Sequence, residues 1–140
     1  MHATATWRQG YEILLEDDHG HHLTVDLSPE EGGRSAGPSG AELLLLSLAG
    51  SLAISFVQTA HRRGLAFEGV SLTLESDKPS RSTTIERVHG VLRIRTRASA
   101  SDAEAVLRTA LRACPVASLF EKALVPLDVV CVVLVPHVRG

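Results

Sequence analysis

The spacing of apolar positions changes repeatedly along this chain, and each change marks an element. Residues 3 to 8 and 11 to 16 alternate as short strands, His22 to Leu27 reads as a third, and Asp17-Asp18-His19-Gly20 supplies the turn before it. Ser28 to Pro38, rich in Gly, Pro and Ser, fits neither the strand nor the helix period and is expected to be a loop. Ser39 with Glu42 three residues on is a capping box. The apolar run from Leu43 to Ala60 then closes in His61-Arg62-Arg63-Gly64, so a helix of about six turns is predicted. Its Leu43, Leu44, Leu45, Leu46, Leu48, Leu52, Ile54, Phe56 and Val57 go almost all the way round, which makes it a central helix rather than a surface one.

The second half is read the same way. Val70, Leu72 and Leu74 alternate with Ser71, Thr73 and Glu75, and Val88, Leu92 and Ile94 alternate with Arg87, Val91, Arg93, Arg95 and Arg97, giving two half-buried strands joined by a turn at Asp77-Lys78-Pro79-Ser80. A second capping box, Ser101 to Glu104, is expected to open a helix. Ala103, Val106, Leu107, Ala110, Leu111 and Cys114 share one face of it, so Cys114 points inward. Pro115 suits the first position of a further helix through Val116, Leu119, Phe120 and Ala123. Leu127 to Val135, nearly continuous in valine, is expected to be a buried strand. The order strands, helix, strands, helices, strand predicts an α+β protein with a single domain over residues 1–140.

Composition narrows the function classes. The 140 residues suffice for one hydrophobic core, and 44% apolar with 21% charged residues excludes a disordered chain. A net charge of -2 gives no general attraction to nucleic acid or anionic lipid. The basic row Arg87, Arg93, Arg95 and Arg97 has no interleaved aromatics and reads as a solvated face, so no nucleic-acid partner is expected. The run 43–60 approaches the length of a membrane span. Ser47, Ser51, Ser55, Gln58 and Thr59 interrupt it and polar capping signals flank it, so no membrane partner is expected. Met1 to Gly10 shows no secretory signal, and a cytoplasmic location is the expectation. A chain this short cannot cover an all-round apolar helix alone; a symmetric partner can, and a homodimer is predicted.

Candidate chemistry is sparse. Only Cys114 and Cys131 are present, without a Cys-x-x-Cys pair, so no structural disulfide is expected and any cysteine chemistry would be redox chemistry. Cys114 precedes Pro115 at a predicted helix N-terminus, where unpaired N–H groups favour negative charge on sulfur; the same position also suits a small buried residue on an apolar stripe. Cys131 reads as core. Ser51 shares a four-residue spacing with Ser47, Ser55 and Thr59, a stripe that can line a cavity or bond back to main-chain carbonyls. It is mid-helix without a Gly-x-Ser-x-Gly elbow, which argues against a hydrolase nucleophile. His19, His21 and His22 surround a turn, but neighbours on a hairpin point to opposite faces, and no metal or other cofactor is expected.

Gly37-Pro38-Ser39-Gly40-Ala41-Glu42-Leu43-Leu44-Leu45, running on to Gly50-Ser51, resembles the OsmC/Ohr family signature at the start of a long helix, and Cys114-Pro115-Val116-Ala117 resembles the family's second, Cys-Pro-Val-Ser. The resemblance spans nearly the whole chain. It implies an OsmC-like fold, antiparallel sheets wrapped around central helices in an intertwined homodimer, serving the organic hydroperoxide and oxidative stress response. It further implies a catalytic pair in which one cysteine on the central helix attacks the peroxide and a second resolves the sulfenic acid as a disulfide. Here the attacking position is Ser51 and only the resolving Cys114 keeps its thiol. A serine hydroxyl has no oxidation ladder, so the dithiol cycle is expected to be weak or absent. Glu42 matches a glutamate that, in many relatives, helps hold an arginine near the thiol, although in the hydroperoxide-resistance branch that carboxylate stands one position earlier, at Ala41 here. Arg8 and Arg34 are the basic residues placed to reach such a site. Two functions follow: a divergent thiol peroxidase in which Cys114 reduces a small organic hydroperoxide alone and is recycled by an external thiol reductant, or a non-catalytic scaffold binding a small apolar ligand or a partner.

Overall fold

The computed structural model describes residues 1–77 and 84–137. It resolves into two compact units, Met1–Leu46 and Ser47–Gly140.

In the first unit β1 (Thr4–Gln9), β2 (Glu12–Glu16) and β3 (His22–Val25) form an antiparallel meander in that order. Gly10 takes the positive φ of the first turn, and the register slips between Trp7 and Gln9 beside it. The loop after β3 holds a short 3-10 turn, Pro29–Glu31. The chain then runs back beside β3, where Asp26 N donates to the Pro38 carbonyl at 3.2 Å. A Cβ at Gly37 would overlap the Thr24 carbonyl oxygen, so the first glycine of the Gly-Pro-Ser motif is required by close approach.

Helix α1 (Gly40–Arg62) begins in this unit and continues into the second. Its capping box is reciprocal: Ser39 N donates to Glu42 Oε2 at 2.7 Å and Glu42 N to Ser39 Oγ at 3.3 Å. One face of α1 is buried, with Leu48, Leu52, Ser55, Phe56, Thr59 and Ala60. The other leaves Leu46 and Ile54 at 58% and 62% exposure.

The second unit carries β4 (Gly69–Asp77), β5 (Arg87–Arg95) and β6 (Leu127–Leu134) in the order β4-β5-β6, with α2 (Ala100–Ala113) and α3 (Pro115–Lys122) packed on β6. Paired register places Leu72, Leu92 and Cys131 side by side on the face whose Val88, Leu92 and Ile94 are fully buried; Ala103, Val106, Ala110 and Phe120 complete the core. Of the expected turn, Lys78, Pro79 and Ser80 lie outside the described residues.

Three expectations are corrected. The sheets are not purely antiparallel: β5 and β6 run parallel, because the α2–α3 crossover returns the chain in the direction it left. The second cap is Ser99, not Ser101: Ser99 Oγ accepts from Asp102 N at 3.0 Å and donates to Asp102 Oδ2 at 2.7 Å, leaving Ser101 in the first turn. Strand β6 is not buried on both faces in this chain, since Val130 is 58% exposed while Val129 and Cys131 turn inward.

Candidate functional site

Cys114 stands at the joint of two helices. Its extended backbone ends α2 and begins α3, its N–H donates to the Ala110 carbonyl at 2.9 Å, and its carbonyl accepts from Ser118 N at 3.0 Å. Pro115 at the first helical position needs no partner for an amide it lacks. The sulfur takes the place of an N-cap oxygen, accepting from Ala117 N at 3.4 Å, and the residue is fully buried.

Ser51 comes to the same point from α1. Its hydroxyl lies 3.3 Å from Cys114 Sγ, and either atom can donate. The structure therefore brings together the two positions that the sequence motifs single out, 63 residues apart. Atom type limits what the pair can do. The oxygen hydrogen-bonds to the thiol but cannot be oxidised to a sulfenic acid or join it in a disulfide. Of the rest of the hydroxyl stripe, Thr59 bonds back to the Ser55 carbonyl at 2.7 Å, which is helix packing rather than a lined cavity.

The remaining candidates are engaged elsewhere. The Glu42 carboxylate is held by the Ser39 main chain, which lowers its pKa from the ordinary glutamate value. Arg34 pairs with Glu12, which lowers the Glu12 pKa; Arg8 is exposed on β1. His21 Nδ1 lies 2.7 Å from Asp17 Oδ2, whose other oxygen accepts from His19 N and His21 N, and among the described residues no three ligating side chains converge. Arg87 of the basic row pairs with Asp128 at 2.9 Å, and Arg95 donates to the Val135 carbonyl at 2.6 Å. Burial pushes the Cys131 thiol pKa up, with Glu104 adding to it.

One structural residue escaped the sequence reading. Asp26 is buried, and its carboxylate accepts from Leu27 N at 2.8 Å, Arg34 N at 3.0 Å and Ala36 N at 3.1 Å, so it organises the whole 27–36 loop. An aspartate closing a strand just before a Pro/Gly-rich stretch was the available signal.

The model of a family described as OsmC-like protein matches residues 32–129, well over half the chain. Among solved structures, the fold is similar to an OsmC-like protein from Mycoplasma pneumoniae at 14% identity, covering 97% of this chain and 96% of that one with a TM-score of 0.81. It is also similar to an organic hydroperoxide resistance protein OsmC from Legionella pneumophila at 21% identity (95% and 96% covered, TM-score 0.71). A third is an organic hydroperoxide resistance protein from Elizabethkingia anophelis, crystallised with thiocyanate, at 16% identity (94% and 92% covered, TM-score 0.69). No curated protein matches the sequence.

Proposed function

The chain belongs to the OsmC-like protein family, and from that premise we propose that it is an oxidative-stress member whose intramolecular dithiol peroxidase cycle is weak or absent because its attacking position is Ser51. The observation that carries this reading is the 3.3 Å contact between the Ser51 hydroxyl and the Cys114 sulfur. In the dithiol cycle a thiolate displaces the alkoxide of an organic hydroperoxide, becomes a sulfenic acid, and is attacked by the second thiol with loss of water. Serine at the first position removes both bond-forming steps. What remains is Cys114 alone, recycled by an external thiol.

A second reading is favoured by one fact: Cys114 is fully buried in the chain. A shielded sulfur hydrogen-bonded by a hydroxyl suits a non-catalytic scaffold that binds a small apolar ligand or a partner. Both readings assign a homodimer, supported by the exposed apolar face of α1, and both keep the cytoplasmic location and single domain expected from the sequence. In both, Glu42 acts through the start of α1, as its cap, rather than on substrate.

The test is turnover of an organic hydroperoxide with excess dithiol reductant. Wild type is expected near the uncatalysed rate and Ser51→Cys at least tenfold above it. Wild type turning over as fast as the variant overturns the proposal, because Ser51 would then not be the position that limits the cycle.

A further inference from the structure

A second feature of the Ser47–Gly140 unit lies away from the thiol. A cavity of about 600 Å³ opens where the chain leaves α1 and where it enters α2, within the range of roughly 300–1,000 Å³ typical of small-molecule sites. Its lining is mixed: Leu65, Ala98 and Val106 supply apolar surface, and two guanidinium groups, Arg63 and Arg97, share it from different connections.

The cavity is built rather than incidental. Thr96 is buried, its hydroxyl donates to the Ala66 carbonyl at 2.6 Å and accepts from Ala98 N at 3.0 Å, and so ties the two connections together on either side of Arg97. Arg63 is steadied by donating from Nη2 to Thr109 Oγ1 at 2.8 Å, an uncharged partner that leaves its positive charge uncompensated. Arg97 makes no hydrogen bond or ion pair among the described residues. The one carboxylate on the rim, Asp102, already accepts from the Ser99 hydroxyl. Two cations against one anion leave the cavity lining net positive, beside the apolar surface of Leu65, Ala98 and Val106.

We infer that this cavity binds a small organic carboxylate, its charged end against Arg63 and Arg97 and its apolar body on Leu65, Ala98 and Val106. A planar carboxylate matches the fork geometry of guanidinium donors. The site is separate from the thiol: Asp102 and Cys114 lie on the order of 18 Å apart along α2 at the usual helical rise.

The probe is octanoate, titrated into the full-length ¹⁵N-labelled protein, with octan-1-ol and inorganic phosphate as controls. Saturable amide shifts confined to residues around 64–66, 97–98 and 102–106 are expected, with octan-1-ol and phosphate each binding at least tenfold more weakly. Arg97→Gln, at an exposed position and checked for an unchanged thermal midpoint, is expected to weaken octanoate about tenfold, and Arg97→Lys to restore part of it. Shifts absent at millimolar octanoate, shifts centred elsewhere, octan-1-ol or phosphate binding as tightly as octanoate, or Arg97→Gln binding as well as wild type would each overturn the inference.

Discussion

Cys114 shows what a single residue can do in this chain: it ends one helix, caps the next, and meets Ser51 through its sulfur. Periodicity alone placed it inward; only the two family motifs pointed to Ser51 as its neighbour, because no local pattern encodes a contact across 63 residues. Leu124 was not legible at all. It closes α3 at φ +58, donating to the Glu121 carbonyl while Val125 donates to Phe120, a helix end at which sequence reading looks for glycine. Asp26 yields a prediction at this scale. Its pKa is lowered, chiefly by the hydrogen bond from Ala36 N and then by those from Arg34 and Leu27, so the folded loop binds fewer protons than the unfolded chain. Its stabilisation is complete above the ordinary aspartate value near 4 and is lost as pH falls through the depressed folded value. Amide exchange of residues 27–36 should accelerate selectively in that acid window, and Asp26→Asn should abolish the selectivity. Equal pH profiles for the two proteins would remove Asp26 as the organiser.

Among the elements, the start of α1 was readable because Ser39 and Glu42 satisfy each other and nothing nearby competes. The start of α2 was ambiguous, since Ser99 with Asp102 and Ser101 with Glu104 both fit the capping pattern. The structure selects Ser99, whose extended backbone (φ -67, ψ 155) suits a cap. Ser99→Ala should therefore cost about 1 kcal/mol in chemical denaturation, while Ser101→Ala, inside the first turn, should stay within about 0.5 kcal/mol. The reverse order would restore the original reading. Strand β6 misled for another reason: valine on both faces erases the period that distinguishes a half-covered strand from a buried one. Helix α1 is long and apolar enough to cross a bilayer by length and composition, and the face it buries within the chain carries Ser55 and Thr59 beside Leu48, Leu52 and Phe56.

For the whole molecule, the α+β class and the order of elements were legible, because each segment is long and strongly patterned. The parallel pairing of β5 and β6 was not, since pattern gives elements and not their direction. The exposed apolar side of α1 is what a twofold partner would cover, and we expect a dimer by sedimentation at micromolar concentration. Ile54→Arg should weaken it by about 3 kcal/mol across the symmetric pair, more than a hundredfold in Kd. A stable folded wild-type monomer would contradict the dimer.

The central claim, that one atom at residue 51 separates this chain from a dithiol cycle, is tested most directly in Ser51→Cys given one equivalent of organic hydroperoxide and mapped by non-reducing peptide mass spectrometry. The serine oxygen already lies 3.3 Å from the Cys114 sulfur, so closing to a bond of about 2.05 Å asks for a shift of only about 1.3 Å. The account predicts a Cys114 disulfide to the new thiol within the time the peroxide is consumed, while the wild-type thiol forms none. A folded variant that consumes peroxide no faster than wild type and keeps both thiols free would contradict it.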